Sequence, residues 1–164
     1  MHRNILRWTL SLFLVFLALP FTAQASGIWS SVASAGGMLD SATLVYETNG
    51  PGITFPPSST PTLLKIRYNV SNVAETNPSW TTFSFSCAGV SSTGSVSATL
   101  FQTDLTTGAN TALCSASSGT TSGIKSCTFS STAVDFTQYN YWILALVSRS
   151  DTSSFPVLFS LRIN

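Results

Sequence analysis

Apolar and polar residues alternate along most of the second half of the chain, and this alternation predicts β-strands. In the segment 64–70 the apolar residues are Leu64, Ile66, Tyr68 and Val70, separated by Lys65, Arg67 and Asn69. A period of two places the apolar set on one face of a pleated strand and the polar set on the other. The same pattern predicts further strands at 83–87, 96–103, 111–115, 124–129 and 157–163.

The segment 141–147 differs from these strands because it is apolar at odd and even positions alike. A strand that is apolar on both faces is typical of the centre of a sheet that is covered on both sides. We therefore expect 141–147 to be a central strand with a layer on each face. A shorter pattern predicts one more strand near 42–46.

Turn-forming residues separate these predicted strands. The sequence Thr-Thr-Gly-Ala-Asn at 106–110 predicts a hairpin turn between the strands 96–103 and 111–115. Four prolines fall within eleven residues, at Pro51, Pro56, Pro57 and Pro61. Because proline lacks the N–H that a strand ladder needs, we expect loops or sheet edges there.

Composition supports an all-β interpretation. Ser and Thr account for 47 of the 139 residues that follow position 25. Both residues compete for backbone hydrogen bonds inside helices, whereas Thr fits a pleated strand. About eight to ten short strands predict an antiparallel two-sheet β-sandwich, for which a jelly roll is one topology. A small closed barrel is the alternative.

The first 25 residues have the pattern of a secretory signal peptide. Arg3 and Arg7 supply the positive start, the run 10–19 is almost wholly apolar, and residues 23–25 (Ala-Gln-Ala) form a small-residue cleavage pattern. The apolar run is shorter than the ~20 residues that a membrane-spanning helix needs. We therefore expect a signal-peptide helix that is removed after residue 25.

Cleavage leaves one domain, 26–164, and changes its charge. The whole chain has a net charge of +1 and one histidine, His2, whereas the mature chain keeps five basic and six acidic residues and no histidine. Charged residues are 8% of the chain, which excludes nucleic-acid binding through a basic surface. Without histidine, Ser-His-Asp catalysis and histidine metal sites are excluded. We expect no cofactor, no metal and no membrane span after cleavage, in an extracellular or periplasmic protein.

The mature chain contains three cysteines, Cys87, Cys114 and Cys127. Secretion permits a disulfide, and three cysteines allow one intramolecular bridge. Cys114 and Cys127 stand on consecutive predicted strands with a Gly- and Ser-rich loop between them, so we expect this pair. Cys87 shares an apolar strand face with Phe83 and Phe85, which predicts a buried thiol; pairing between two molecules is the alternative.

The acidic residues of the mature chain are candidates for the paired carboxylates of a glycoside hydrolase. They are Asp40, Glu47, Glu75, Asp104, Asp135 and Asp151. Most stand beside turn residues, where Asp commonly bonds its own backbone. Asp135 with Gln138 and Asn140, or Asp104 with nearby carbonyls, could also supply oxygens to Ca²⁺. We expect turn caps rather than a calcium site, and keep the hydrolase as an alternative.

A non-catalytic binding or structural domain fits these residues better than an enzyme. Sandwich domains that bind carbohydrate stack sugars on exposed rings, and the candidate rings here are Trp80, Trp29 and Trp142, with Tyr139 and Tyr141 as further aromatics. Carbohydrate is therefore the first ligand to test, and a surface protein is the other candidate partner. A surface or adhesin-like subunit that associates through strand edges is the alternative.

Several local strings occur in a familiar order: 65–70 (KIRYNV), 100–103 (LFQT), 106–108 (TTG) and 135–143 (DFTQYNYWI). In this order and spacing they resemble small secreted bacterial β-sandwich proteins of uncharacterised function, over roughly residues 63–163. The resemblance implies an exported β-domain. It supplies no catalytic residues.

Overall fold

The computed structural model of the chain describes residues 27–39, 46–57, 59, 62–72 and 76–164. The predicted signal peptide and the predicted strand near 42–46, apart from Tyr46, lie outside these residues. Helical structure in the described residues is limited to two short 3₁₀ turns, Ala33–Ala35 and Ser131–Ala133. No helix among them is long and apolar enough to cross a membrane.

The described residues form eleven β-strands. In chain order they are β1 (Trp29–Val32), β2 (Gly37–Met38), β3 (Glu47–Asn49), β4 (Gly52–Thr54), β5 (Leu63–Val70), β6 (Thr82–Ala88), β7 (Gly94–Asp104), β8 (Asn110–Ser117), β9 (Gly123–Thr128), β10 (Tyr139–Arg149) and β11 (Val157–Ile163). The strands predicted between residues 64 and 163 correspond to β5 to β11, with boundaries that differ by no more than two residues.

The strands form two antiparallel sheets that pack face to face. Sheet A has the order β3-β4-β11-β6-β9, and β1 pairs with the C-terminal half of β11 beside β4. Sheet B has the order β2-β5-β10-β7-β8. The fold is therefore an all-β antiparallel sandwich, as the sequence predicts.

The core lies between the sheets and is built from alternate residues of the long strands. On β10, Tyr141, Ile143, Ala145 and Val147 are buried and face sheet A. On the opposing sheet, the largest fully buried side chains include Phe83, Phe85, Leu158 and Leu161. Burial of apolar surface of this kind is the main favourable term in folding.

The strand β10 is central, as expected, because it lies between β5 and β7. The expectation that both of its faces are covered is wrong. Trp142, Leu144 and Leu146 point away from the core and are only half-buried. The apolar residues on this face reflect a partly exposed surface rather than a third layer.

The prolines lie in turns, as expected for those that the structure describes. Pro51 forms the turn between β3 and β4, and Pro56 and Pro57 follow β4. Pro61 lies outside the described residues. The predicted hairpin turn is the connection between β7 and β8, where Gly108 has a φ of +73°.

A disulfide joins Cys114 on β8 to Cys127 on β9, which confirms the predicted pair. These two strands are edge strands of different sheets on the same side of the sandwich, so the bridge ties the sheets together there. Cys87 is a buried free thiol that donates to the carbonyl oxygen of Gly123. Burial raises the pKa of Cys87, which lowers the fraction of reactive thiolate at neutral pH.

Candidate functional site

Two of the three tryptophans expected to bind a ligand are part of the core. Trp80 is 1% exposed, and its indole Nε1 donates to the carbonyl oxygen of Gly27. Its ring also meets Phe136 edge-on, with 6.0 Å between ring centroids. Trp29 lies on β1 and is 6% exposed. The prediction that Trp80 and Trp29 present rings to a ligand is therefore wrong: both rings fill the sandwich interior.

Tyr139 and Tyr141, at the start of β10, pack against neighbouring side chains. Tyr141 is buried, donates to the carbonyl oxygen of Ala133 and accepts from the amide of Asp135. Burial is the main cause that raises the pKa of Tyr141, so the phenol stays neutral in its hydrogen bonds. Tyr139 packs against Tyr141 at a centroid distance of 6.4 Å. Neither tyrosine is a free ring platform.

Trp142 is the predicted site residue that the structure places on the surface. It lies on the central strand β10, on the solvent-facing side of sheet B, which we call the outer face. Strand register sets Trp142 beside Asn69 on β5 and beside Phe101 on β7. Three neighbouring strands thus converge on this indole.

Trp142 is the centre of a stack formed with Phe101 and Arg67, which we call the aromatic stack. The rings of Phe101 and Trp142 are nearly parallel, with 4.4 Å between centroids and 11° between planes. The guanidinium carbon of Arg67 lies 4.6 Å from the centroid of Trp142. The indole Nε1 donates to Oγ1 of Thr103 at 3.0 Å. These contacts fix the orientation of the indole.

The aromatic stack covers both faces of the indole, since Phe101 and Arg67 come from strands on opposite sides of β10. The exposed guanidinium of Arg67 is held on one side by a cation–π contact, which is worth ~0.5–1 kcal/mol at an exposed site. A ligand can displace such a group at small cost. Both faces of the indole are therefore occupied, and a ligand ring can stack on it only by displacing Arg67.

The outer face continues from the aromatic stack along β10 as an apolar ridge. This ridge consists of Trp142, Leu144 and Leu146, all half-buried. On the β7 side it is flanked by the hydroxyls of Ser97 and Thr99, which are the register partners of Leu146 and Leu144. The face thus combines a narrow apolar strip with polar groups along its length.

A hydroxyl-lined cleft of about 290 Å³ lies where the outer face meets the end of the sandwich. We call it the hydroxyl cleft. Its lining consists of Ser91, Ser92, Thr93, Gly94, Ser95, Ser148, Arg149 and Ser150. The hydroxyls of Ser95 and Ser148 are 2.8 Å apart, and Oγ1 of Thr93 is 2.6 Å from Oγ of Ser154.

Arg149 braces the loops around the hydroxyl cleft from inside the molecule. Its side chain is 4% exposed and its guanidinium carbon lies 4.2 Å from the centroid of Phe55. Nη2 donates to both the carbonyl oxygen and the hydroxyl of Ser59, and Nη1 donates to the carbonyl oxygen of Ser154. The charge of Arg149 is therefore used in joining the loop after β4 to the loop after β10.

The turn between β6 and β7 packs closely against the loop after β10. Gly89 has a φ of +65°, and a Cβ at this position would clash with the carbonyl oxygen of Phe155. Only glycine combines this left-handed conformation with so close an approach at little cost. The close approach positions Ser91 and Thr93 beside Ser154, and so shapes the wall of the cleft.

The three described aspartates cap turns, as the sequence predicts. Oδ1 of Asp104 accepts from the amides of Thr106 and Thr107. Asp135 accepts from the amide and hydroxyl of Thr137. These hydrogen bonds lower the pKa of Asp104 and of Asp135, so both carboxylates are ionised at neutral pH.

Asp151 caps the loop after β10 in the same way. Its Oδ1 accepts from the amide and hydroxyl of Ser153 and from the amide of Ser154. Hydrogen bonds to the charged form hold the pKa of Asp151 far below its usual range. A general acid for glycoside hydrolysis needs a raised pKa, which none of these aspartates has. Asp40 and Glu75 lie outside the described residues.

The described residues contain no group of three or more His, Cys, Asp or Glu side chains that could hold a metal ion. Asp135 also accepts from Nε2 of Gln138 at 2.8 Å, so this residue proposed for Ca²⁺ bonds a protein donor instead. The calcium alternative gains no support from this geometry.

Sequence reasoning missed the partners that make Trp142 distinctive. Arg67 and Phe101 share its face because all three stand at outward positions of their strands, but the register that aligns them is set by pairing across the sheet. The serines of the hydroxyl cleft look like ordinary turn residues in the sequence.

The chain matches no known family model and no curated protein.

Proposed function

We propose that the domain is a secreted, non-catalytic carbohydrate-binding module whose ligand lies on the outer face of sheet B. The observation that carries this proposal is the aromatic stack, in which a half-buried indole is held by Thr103 and covered by a displaceable guanidinium. A pre-oriented ring loses little conformational freedom on binding, which favours affinity. Apolar strips with a few placed polar groups are typical of ligand sites.

The chemistry of the outer face suits a sugar better than other ligands. Pyranose rings have apolar C–H faces that pack on aromatic and aliphatic side chains, and hydroxyl edges that bond polar groups. Trp142 and Leu144 supply the first kind of contact, and Thr99, Asn69 and Arg67 supply donors and acceptors beside them.

The same proposal includes export and a jelly-roll topology. A disulfide between edge strands and the signal-peptide pattern at 1–25 support an oxidising compartment, extracellular or periplasmic. From β4 onward, each strand pairs with its counterpart counted from the other end of the chain: β4 with β11, β5 with β10, β6 with β9 and β7 with β8. This is the order expected when one long antiparallel hairpin is rolled into two sheets.

The test is a carbohydrate array probed with the mature protein and with Trp142→Ala. We expect the wild type to bind at least one glycan class and Trp142→Ala to lose ~10-fold or more in affinity for it, since ring anchors dominate such sites. Phe159→Ala is the matched control, because Phe159 is a half-buried aromatic on β11 in the other sheet. Circular dichroism checks that both variants fold.

Two results would contradict the proposal. One is the absence of binding to any glycan by folded wild-type protein at millimolar sugar. The other is glycan binding that Trp142→Ala leaves unchanged while Phe159→Ala removes it, which would place the site on sheet A.

A second candidate function, lateral assembly with further copies of this chain, is favoured by the edge strand β8. All eight residues of β8 are uncharged and none is proline, whereas the neighbouring edge strand β9 contains Lys125. Charges and prolines are the usual protection of edge strands against pairing. A neutral edge can pair with the same edge of a second copy without repulsion between like charges.

The assembly candidate is tested by Ser115→Pro, with Ser115→Ala as the matched control. The amide of Ser118 donates to Val96 on β7, so in the alternating ladder the amide of Ser115 points away from β7. Proline there removes an outward donor and keeps the backbone ladder to β7. The hydroxyl contact of Ser115 with Thr99 is lost in Ser115→Ala as well, so this control accounts for it. We expect concentration-dependent dimers in sedimentation of the wild type and of Ser115→Ala, and monomers for Ser115→Pro. A monomeric wild type at high concentration would exclude this candidate.

A further inference from the structure

We propose that the hydroxyl cleft is a second sugar subsite on the outer face, so that the ligand is an extended oligosaccharide lying along β10. This inference rests on the proposed carbohydrate-binding function and specifies its ligand class. It joins two features that lie at different points of the same strand, the aromatic stack at Trp142 and the hydroxyl cleft at Ser148.

The two features belong to one continuous surface. Trp142 and Ser148 are both outward positions of β10, six residues apart, with Leu144 and Leu146 between them. Six residues of strand span ~20 Å. A ligand that reaches from the indole to the cleft must therefore be longer than a disaccharide, and the apolar ridge connects its two ends.

The hydroxyls of the cleft keep hydrogen-bonding capacity for a ligand. A serine or threonine hydroxyl has one donor and two acceptor positions. The hydroxyls of Ser95 and Ser148 form a hydrogen bond of 2.8 Å with each other, and the hydroxyl of Ser150 donates to the carbonyl oxygen of Thr93 at 3.4 Å. Ser92 is exposed at the cleft. Such a set of small donors and acceptors matches the hydroxyl edges of sugar rings.

The charges near the cleft are engaged in holding the loops. The guanidinium of Arg149 bonds Ser59 and Ser154, and the carboxylate of Asp151 accepts from Ser153 and Ser154. Both charged groups therefore already have hydrogen-bond partners within the protein. The cleft lining that remains is made of neutral hydroxyls and backbone, which suits the hydroxyl edge of a sugar ring. Arg67 and Lys65, the register partners of Leu144 and Leu146, flank the apolar ridge on its β5 side.

The experiment is calorimetric titration of the mature protein with hexasaccharides and disaccharides of cellulose, xylan, β-1,3-glucan, starch and chitin. In the series that binds, we expect the hexasaccharide to bind ~10-fold or more tightly than the disaccharide. The double variant Ser92→Ala/Ser150→Ala should lose ~10-fold for the hexasaccharide, the effect of two modest hydrogen bonds, and nothing for the disaccharide. The matched control is Ser84→Ala/Ser126→Ala, which removes two paired hydroxyl residues from sheet A.

The outcomes separate this inference from the proposed function. Equal affinity for the two lengths, or an unchanged hexasaccharide affinity in Ser92→Ala/Ser150→Ala, would overturn the extended ligand and leave carbohydrate binding intact. Failure of every saccharide to bind would overturn the proposed function itself.

Discussion

At the scale of single residues, Arg149 shows how one buried cation organises an end of the sandwich. Its guanidinium lies against Phe55 and donates to groups in two different loops. Those loops form no long run of backbone hydrogen bonds with a neighbouring strand, so side-chain hydrogen bonds hold them in position. Arg149 thus stabilises these loops in the way that backbone hydrogen bonds stabilise the strands.

Replacing Arg149 with methionine tests this role. Methionine fills part of the space but leaves the carbonyl oxygens of Ser59 and Ser154 without these donors. Unsatisfied buried acceptors cost ~1–3 kcal/mol each, so we expect Arg149→Met to lower the free energy of unfolding by roughly 2–4 kcal/mol in urea titration. Arg162→Met, an exposed position on β11, should change it by no more than ~0.5 kcal/mol. Equal losses in the two variants would contradict this role.

Asp151 gives a prediction about pH. Its pKa is lowered in the folded state, so its contribution to stability is present above the ordinary unfolded pKa of ~3.9 and is lost as pH falls toward the folded pKa. We expect Asp151→Asn to have a lower urea midpoint than the wild type at pH 7, with a smaller difference at pH 3. Glu47→Gln, which removes an exposed charge on β3, serves as the control. A difference that is the same at both pH values would contradict the charge-based explanation.

Residue identity alone did not reveal which aromatics reach the surface. Tyr141 and Trp142 are neighbours, and their opposite exposure follows from the two-residue period of β10, which the sequence shows. Trp80 lies in an irregular segment before β6, where no period applies. Its burial depends on Gly27 and Phe136, which are distant in sequence. Such contacts cannot be inferred from local pattern.

At the scale of elements, the long strands were predictable and the short ones were not. The strands β5, β6, β7 and β11 each contain several alternations of apolar and polar residues, β10 is a long apolar run, and turn residues delimit β8 and β9. The strands β1, β2 and β4 have two to four residues, too few for an alternating pattern to be visible. They form because a neighbouring strand provides backbone hydrogen-bond partners. The strand β4, for instance, pairs with β11 through Ile53 and Leu158.

The disulfide between β8 and β9 stabilises the side of the sandwich where two edge strands lie next to each other. The bridged residues are 13 apart, for which loss of unfolded-chain entropy predicts ~3 kcal/mol. We expect Cys114→Ser/Cys127→Ser to lose about this amount in urea titration. Cys87→Ala, which keeps the bridge, should respond to dithiothreitol as the wild type does. A wild type whose stability dithiothreitol leaves unchanged would contradict the bridge.

At the scale of the whole molecule, the low charge of the chain has a structural counterpart in neutral pairs on the strand faces. The hydroxyls of Ser86 and Ser160 are 2.8 Å apart on sheet A, and those of Thr99 and Ser115 are 2.7 Å apart on sheet B. Cross-strand hydroxyl pairs of this kind stabilise antiparallel sheets. Abundant Ser and Thr therefore provide polar outer surfaces without many charges.

The proposed export predicts a mature protein that begins at Ser26. The carbonyl of Gly27 accepts from Trp80 and Trp29 is buried, so the fold uses residues directly after the expected cleavage site. Intact-mass measurement of protein exported by a bacterial host should give a chain that starts at Ser26. Ala25→Phe should block processing, since the site needs a small residue, whereas Gln24→Phe should not. Retention of residues 1–25 in exported wild type would contradict this prediction.

The bridge between β8 and β9 also decides what a single cut in the backbone does to the protein. A protease that cleaves within the exposed loop residues 119–122 produces two polypeptides, one containing β8 near its end and the other containing β9 near its start. Cys114 belongs to the first and Cys127 to the second, so the pieces stay covalently joined, and each sheet contains strands from both. The nicked protein should therefore migrate as one band without reductant and as two bands with it.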